Sequence, residues 1–184
     1  PNGLPDGYPA NDTFVLIICA PLSGTYTVNS GGATAGTNFN NFNDLKARLT
    51  TCGVGGPVTI NVASGTYTEQ VVFTPVTGAN ATNRITIKSA TGNKNDVTWQ
   101  WLTASSTADN FVVKLDGADY FTFRDMTFNT SSNILYSTVI YCQNVASGNQ
   151  FINNNFNSNS AQISSTNQAV ISVSYTHLRA HETL

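Results

Sequence analysis

The sequence predicts an all-β fold, a right-handed single-stranded parallel β-helix of about four coils. The main observation is a repeat of short apolar strands, which begin at residues 58, 85, 113 and 140 and are therefore 27, 28 and 27 residues apart. A fixed period of this length indicates one structural unit stacked on itself. Each unit is too short for a strand–helix–strand crossover, which needs about 30 residues and a helix. The inward-facing pairs predicted to stack on one another are Val58/Ile60, Ile85/Ile87, Val113/Leu115 and Ile140/Cys142.

The composition also favours a β structure outside the cell. Charged residues make up 10% of the chain, against about 25% in ordinary domains. Asn and Thr supply about a quarter of the residues; branched Thr suits strands, and Asn tolerates the left-handed conformation of tight bends. The net charge of −2 and the lack of a basic cluster argue against nucleic acid as a partner. No apolar run approaches the roughly 20 residues of a membrane span. We therefore expect a secreted or cell-surface protein without membrane insertion.

The domain boundaries are expected at residues 21 and 172. Residues 1–21 are rich in Pro, Gly and Asn around one apolar run, and we interpret them as a linker or the end of an upstream module. This interpretation makes the chain part of a larger multidomain protein. Residues 22–172 form the predicted β-helix domain. Because a further coil starts at Ile171, the domain is expected to be truncated at its C-terminus.

Residues 173–184 are interpreted as a non-native tail. They break the Asn- and Thr-rich composition and contain both histidines of the chain. Residues 173–183 resemble the translation of a sequencing adaptor, so we exclude them from the fold. The alternative is a genuine basic helix in which His177 and His181, four residues apart, form a metal-ligand pair.

One helix is predicted, at 41–51, after a first strand at Gly24–Val28. Either Asn41 or Asn43 can cap its N-terminus, and Gly53 can end it. A β-helix has an open end that exposes its core and unpaired strand edges. A short amphipathic helix before the first coil would cover that end. Its predicted apolar stripe consists of Phe42, Leu45 and Leu49.

The later coils contain a second, more detailed repeat. The pattern of Phe123, Phe128 and Asn129 recurs 28 residues later as Phe151, Phe156 and Asn157. This register predicts stacked Phe rings and stacked Asn side chains, whose amides bond from coil to coil. Trp99 and Trp101 share one face of a strand and are expected in the core. The remaining strands are expected within 58–62, 70–73, 85–88, 97–101, 111–115, 120–123, 126–128, 138–142 and 151–157.

Three segments resemble the opening coils of the pectin-lyase-like superfamily, and the 42–49 helix resembles that family's N-terminal cap. The pattern Gly65-x-Tyr67-x-Glu69-x-Val71 is similar to the start of pectinesterases. A closer likeness is to β-helix modules of large surface proteins exported by type IX secretion in gliding bacteria. The resemblance covers about 22–172 and implies fold and export. The segments that carry it are Gly56–Val71, Arg84–Ser89 and Asp119–Asn129, with Leu22–Thr27 for the surface modules.

The resemblance does not supply a catalytic set. Pectinesterases use two Asp, an Arg and a Gln, and pectate lyases use a basic residue with an Asp cluster for Ca²⁺; neither set can be placed here residue by residue. Gly65, Tyr67 and Glu69 are expected to be structural, as a bend, a ring packed on the cap and a carboxylate satisfying backbone donors. We therefore expect a non-catalytic module that binds polysaccharide or serves as a stalk or adhesin. The alternative is the N-terminal part of a polysaccharide lyase or pectinesterase-like enzyme.

Strand alternation predicts an outward-facing patch that suits a sugar. Thr59, Thr86, Lys114 and Tyr141 are expected in one column, and Asn61, Lys88, Asp116 and Gln143 in the next. An aromatic ring and polar groups on a flat sheet can stack on a sugar and fix its hydroxyls. The alternative is an ordinary solvated sheet face. The candidate ligand-binding residues are Lys88, Lys114, Asp116, Tyr141 and Gln143.

No catalytic residue and no resident cofactor are expected. Asp116 and Asp119 can be read as weak Ca²⁺ ligands. Arg124 and Asp125, beside Asp119, are read either as a site or, preferably, as a local ion pair at a bend.

The chain has three cysteines. Cys142 lies in an inward phase and is expected to be a buried thiol. Cys19 and Cys52 flank the cap and can pair in an oxidising compartment, although the sequence alone does not fix the connectivity.

Overall fold

Three parallel sheets wind around one apolar core in the computed structural model, which describes residues 19–130, 136–158 and 168–174. The chain is a mostly β, parallel β-solenoid of about five turns, so the predicted fold class is confirmed. The strands are β1 (Leu22–Val28), β2 (Asn38–Phe39), β3 (Val54–Val62), β4 (Gly65–Thr68), β5 (Val71–Phe73), β6 (Ile85–Ser89), β7 (Val97–Trp101), β8 (Val113–Asp116), β9 (Phe121–Arg124), β10 (Thr127–Thr130), β11 (Ile140–Gln143), β12 (Gln150–Ile152), β13 (Asn155–Asn157) and β14 (Ile171–Ser174). The helix is α1 (Phe42–Cys52).

From β3 onwards each turn contributes one strand to each sheet, whereas β1 and β2 extend sheet A alone. Sheet A has the order β12-β9-β6-β3-β1-β2, sheet B the order β13-β10-β7-β4, and sheet C the order β14-β11-β8-β5. The solenoid has one turn more than the sequence predicted, because β1 already pairs in parallel with β3 upstream of the first predicted coil. At the other end, β14 continues to Ser174, two residues into the segment interpreted as a non-native tail. The upstream segment 1–18 and the tail residues 175–184 lie outside the described residues.

The predicted stacking of the four apolar pairs is wrong in one respect. Val58 pairs with Ile85 in sheet A, but Ile85 pairs with Phe121 on its other side. Val113 and Ile140 pair with each other in sheet C. Ile85 therefore does not stack on Val113 and Ile140, as the repeat predicted.

The error comes from one long connection. The turn that starts at Ile85 contains an extended loop, 102–112, between β7 and β8. Because of this loop, β8, the third strand of the turn, begins 28 residues after β6, the first strand. The spacing within this one turn is therefore the same as the spacing expected between equivalent strands of successive turns. The true full turn runs from Ile85 to its partner Phe121, which is 36 residues later.

Aromatic rings form continuous columns inside the solenoid. Phe123 stacks on Phe151 with ring centroids 5.5 Å apart, and Phe128 stacks on Phe156 at 5.4 Å. The predicted Phe repeat is thereby confirmed. Trp99 is buried, and Trp101 is half-buried against the core, as expected for core residues. Stacked rings combine a large buried area with a favourable ring geometry.

Helix α1 covers the N-terminal end of the solenoid. The Asn41 side chain caps it by accepting a hydrogen bond from the Asp44 amide at 2.8 Å. The Phe42 ring lies 3.6 Å, centroid to centroid, from the Trp99 ring with an interplanar angle of 2°. Gly53 ends the helix with φ of 64°, and a Cβ there would lie 2.5 Å from the Thr77 carbonyl oxygen. The predicted cap and its buried stripe are confirmed: Phe42, Leu45 and Leu49.

A disulfide joins Cys19 to Cys52 at the C-terminal end of α1. The sequence left the connectivity of the three cysteines open, and the structure contains the Cys19–Cys52 pairing beside the capping helix. Cys142 is a buried free thiol, as expected, and burial raises its pKa above the ordinary value. Within the described ranges, no helix is both long and apolar enough to cross a bilayer.

We expect Ile87→Ala to lower the free energy of unfolding by about 2–5 kcal/mol, because truncation of a buried residue loses apolar contact and leaves a cavity. Ile87 is fully buried between Ile60 and Phe123 in sheet A. Chemical denaturation followed by circular dichroism measures the change. Thr86→Ala, on the outward face of the same strand, is the matched control and should cost less than about 1 kcal/mol. Equal losses in the two variants would contradict this assignment of faces.

Reduction of the disulfide should lower the melting temperature. Cys19 and Cys52 are 33 residues apart, and opening a loop of that size costs about 3–4 kcal/mol in the chain-entropy model. Thermal unfolding with and without reductant measures the effect. A Cys19→Ser/Cys52→Ser variant should melt at the reduced temperature and lose its response to reductant, whereas Cys142→Ala should keep that response. An unchanged melting temperature on reduction of the intact protein would show that the bond does not stabilise the cap.

Candidate functional site

Four of the five predicted ligand-binding residues form one block on sheet C. Lys114 on β8 is in register with Tyr141 on β11, and Asp116 is in register with Gln143. All four side chains are half-buried and alternate with buried residues of the core. We call this block the sheet C patch, and its members are Lys114, Asp116, Tyr141 and Gln143.

Lys88 does not belong to this patch. It lies on β6 in sheet A, in register with Asn61 on one side and Arg124 on the other. The predicted column that joined Lys88 to Asp116 is wrong for the same reason as the predicted apolar stack. Because of the long loop 102–112, β6 and β8, which belong to one turn, have the sequence spacing of equivalent strands in successive turns.

The Lys114 ammonium group is held between two aromatic rings. Its Nζ lies 5.4 Å from the centroid of the Tyr141 ring and 5.8 Å from that of the Phe111 ring. Both distances are within the range of cation–π attraction. Among the described residues, the ion pair of this chain is Arg124–Asp125, so Lys114 has no carboxylate within ion-pair distance. Lys114 therefore contacts the Tyr141 ring as a cation–π partner rather than binding a carboxylate in an ion pair.

Asp116 is held as a carboxylate. The side-chain hydrogen bond from Gln143 is the main cause that lowers its pKa. Partial burial acts to raise this pKa, but a hydrogen bond from the Asn144 side chain and the charge of Lys114 lower it further. The Gln143 and Asn144 amides come from the next turn of the solenoid. The patch therefore presents a fixed negative charge beside a fixed positive charge.

A cleft of about 380 Å³ opens beside Tyr141. Ser172 on β14 is in register with Tyr141 and forms part of the cleft floor. Three further side chains contribute hydroxyl or amide groups, and sequence reasoning did not single them out: Thr107, Asn110 and Thr138. The long polar stretch after Trp101 is the sequence signal that could have indicated an added wall beside the strands.

The loop 102–112 that bounds this cleft is internally braced. The Asp109 carboxylate accepts a hydrogen bond from the Ser106 amide at 2.7 Å and another from the Ser105 amide at 3.1 Å. Partial burial acts to raise the pKa of Asp109, but the hydrogen bonds from these two serines outweigh it and lower the pKa. Gln70 Nε2 donates to the backbone carbonyls of Asp109 and Phe111 at 2.7 and 2.9 Å. The wall is thus tied to the scaffold.

The side of the cleft nearest β11 is also tied to the loop. Asn110 Nδ2 donates to Thr138 Oγ1 at 3.2 Å, and the Thr138 amide donates to Asn110 Oδ1 at 2.9 Å. Both residues are buried. The polar groups of the cleft are therefore positioned by mutual hydrogen bonds rather than by a free loop.

Asp116 and Asp119, considered above as Ca²⁺ ligands, serve as links between turns. Asp119 Oδ1 accepts hydrogen bonds from the Ser147 amide at 2.6 Å and from Ser147 Oγ at 3.1 Å. Asp116 Oδ1 accepts one from Asn144 Nδ2. In the part of the chain that the structure describes, no group of three or more His, Cys, Asp or Glu side chains is arranged to hold a metal ion.

Arg124 and Asp125 form a local ion pair at a bend, as preferred from the sequence. Arg124 Nε lies 2.8 Å from Asp125 Oδ2, and Asp125 has a φ of 56°. Asn153 Nδ2 donates to Asp125 Oδ1 at 2.7 Å. The hydrogen bond from Asn153 and then that from Arg124 lower the pKa of Asp125. Asp125 therefore links this bend to the next turn of the solenoid, which contains Asn153.

The Gly65–Val71 motif is structural, as expected. Tyr67 packs edge-on against Phe42, with ring centroids 5.1 Å apart, and its hydroxyl donates to the Ala63 carbonyl at 2.9 Å. The Glu69 carboxylate accepts hydrogen bonds from the amides of Phe42 and Asn43 at 2.9 and 3.0 Å. These amides belong to the first turn of α1, where a helix leaves donors unsatisfied and favours a negative charge. The motif therefore fastens the cap to the solenoid.

Comparisons with known proteins identify no family. No protein-family model, no curated protein and no solved structure matches the chain. The likeness to the pectin-lyase-like superfamily therefore rests on the sequence motifs given above. What the structure itself establishes is a parallel β-solenoid of about five turns with one capping helix.

Proposed function

We propose that the protein is a secreted or cell-surface β-helix module that binds polysaccharide on sheet C without cleaving it. The observation that supports this proposal is the position of Tyr141, whose ring stands on a rigid sheet beside a hydroxyl-lined cleft of about 380 Å³. Carbohydrate recognition needs a ring that can stack on a sugar and polar groups that fix its hydroxyls. The sheet C patch offers both.

The fixed register of the strands suits an extended glycan. Tyr141 lies between Lys114 on one neighbouring strand and Ser172 on the other. Because neighbouring strands are about 4.8 Å apart, successive turns present polar groups at a spacing close to the length of one sugar. A chain that runs along the solenoid axis would meet Lys114, Tyr141 and Ser172 in order.

Two further observations support an extracellular location. The cap contains the Cys19–Cys52 disulfide, and disulfides persist mainly in oxidising compartments. The motifs at Leu22–Thr27 and Gly56–Thr59 resemble β-helix modules of exported bacterial surface proteins. We include membership of the pectin-lyase-like superfamily, and a place in a larger multidomain protein, in the proposal.

A non-catalytic role fits the chemistry of the patch. Asp116 is engaged by Gln143 and Asn144, and its lowered pKa makes it a poor proton donor near neutral pH. Lys114 lies against two aromatic rings rather than against a second acid or base. The carboxylate is thus held by amides and the ammonium group by rings, an arrangement suited to positioning a ligand.

We expect Tyr141→Ala to abolish retention of the protein in polysaccharide-containing affinity gels while leaving the melting temperature nearly unchanged. The change removes the stacking surface but not a fully buried side chain. Single stacking contacts are weak, so the intact module should bind with a dissociation constant near the millimolar range, about −4 kcal/mol, unless multivalent display raises it. Gels containing neutral and acidic polysaccharides provide the measurement.

A matched lysine pair controls for charge. Lys114→Ala should weaken retention, whereas Lys88→Ala, which removes the same charge from sheet A, should not. If both variants lose retention equally, the patch on sheet C is not the binding site. If no glycan retains the intact protein, polysaccharide binding is wrong. If acidic polysaccharide is cleaved with new unsaturated ends, the lyase alternative replaces this proposal.

A further inference from the structure

The cleft beside Tyr141 is lined by uncharged groups. Among the described residues, its lining consists of hydroxyl-bearing side chains, the Asn110 amide and one valine. Hydroxyl and amide groups both donate and accept hydrogen bonds, so they can bind the hydroxyls of a sugar. They cannot neutralise a full charge, and a charge that leaves water without a partner is costly. The cleft therefore suits a ligand that is rich in hydroxyls and carries no charge.

The charged groups of the patch and of the wall are predominantly negative. The sheet C patch contributes the Lys114 ammonium group and the Asp116 carboxylate, which lie on the same outward face of β8. The loop 102–112 contributes a second carboxylate, that of Asp109. Its position is fixed by the hydrogen bonds from the Ser105 and Ser106 amides. Two carboxylates thus stand against one ammonium group around the proposed site.

The charge of Lys114 is already engaged within the patch. Its Nζ lies over the Tyr141 ring at 5.4 Å and near the Phe111 ring at 5.8 Å. The same charge acts on the Asp116 carboxylate two residues along β8. An anionic ligand at Lys114 would therefore compete with a carboxylate of the protein itself.

The strands that continue the site beyond β8 add no cation. The sequence from Met126 to Ser174, which supplies both β11 and β14, contains no Asp, Glu, Lys, Arg or His. A polysaccharide that extends from Tyr141 to Ser172 would meet hydroxyl and amide groups on these strands. An acidic polymer carries a charge on many of its sugars, and β11 and β14 offer no opposite charge to pair with them.

We infer that the sheet C patch and its cleft select a neutral polysaccharide over an acidic one. This inference rests on the proposed function and names the class of glycan that the site takes. A neutral sugar offers a ring face to Tyr141 and hydroxyls to Asn110 and Ser172. A uronate or a sulfate ester would instead place further negative charge beside Asp109 and Asp116, and like charges across an interface oppose binding.

Frontal affinity chromatography of the full chain on matched polymers tests this inference. The polymers are a soluble glucan, a galactan and a mannan, each immobilised in its native form and in a form whose C6 hydroxyls are oxidised to carboxylates. The two members of a pair share one backbone and differ in charge. We expect the best-retained native polymer to bind at least about threefold more tightly than its oxidised form, because the carboxylates of polymer and protein repel one another.

Salt gives a second measurement on the parent protein. Retention on the native polymer should not fall as NaCl rises from about 50 to about 500 mM, since salt screens ion pairs rather than ring stacking. Retention that depends on a pair between Lys114 and an anionic sugar would fall over this range.

A matched pair of variants locates the source of the selectivity. Asp116→Asn should raise retention on the oxidised polymer relative to the native one, because it removes a repelling charge while keeping an oxygen that can accept a hydrogen bond. Asp96→Asn removes the same charge from the segment before β7, where Asp96 bonds to Thr91 and Asn93. This control should keep the ratio of the parent protein, and melting temperatures show that both variants are folded.

The possible failures are distinguishable. Tighter binding to an oxidised polymer, or loss of retention on the native polymer at high salt, would overturn this inference and leave polysaccharide binding in place. Retention on the native polymer that persists in Tyr141→Ala would place the neutral glycan elsewhere and also overturn it. No retention on any polymer would overturn the proposed function and this inference together.

Discussion

Vertical register between successive turns is the constraint on which the rest of this structure depends. Every sheet is parallel, so each side chain stands above the equivalent position of the turn before. Phe121 and Met126 show how tightly the turns are fixed: their amides donate to the side chains of Asn149 and Asn154, each 28 residues later. Asn157 bonds in turn to Asn129 at 2.7 Å. An insertion inside a turn must therefore leave the solenoid as a loop, because a shift of one residue would turn every following side chain to the other face.

The same register explains why the bends are polar. Backbone groups at a bend do not pair within a sheet, and they need partners from side chains. Asp119 provides such a partner by accepting a hydrogen bond from the backbone amide of Ser147 in the next turn, and Asp125 adds a side-chain link by accepting one from Asn153 Nδ2. The acidic residues that look like functional candidates in the sequence are for this reason largely structural. The lowered pKa values of Asp116 and Asp125 have hydrogen bonds from the next turn, donated by Gln143 and Asn153, as their largest cause.

A stacked fold also has the problem of its two ends. At the N-terminal end, three contacts fasten the covering helix. Phe42 continues the aromatic column above Trp99, and Glu69 accepts a hydrogen bond from the first amide of α1. The Cys19–Cys52 disulfide holds the last turn of the helix. At the other end the described strands stop with their core exposed. The site proposed on sheet C lies between these ends, where β11, which carries Tyr141, pairs with a strand on both sides.

The sequence by itself determined the alternation of faces, the capping helix and the stacked Phe and Asn repeat, because these depend on local periodicity and on residue conformation. It correctly placed Lys114 and Tyr141 side by side, since equivalent strands of these two turns are one repeat apart. It could not assign Lys88, because a period counted along the chain does not tell whether the next strand lies in the same sheet or in the next one of the same turn. Only the tertiary structure decided that question, through the loop 102–112. That loop lengthened one turn and, by folding beside sheet C, formed the cleft that the strand pattern alone did not contain.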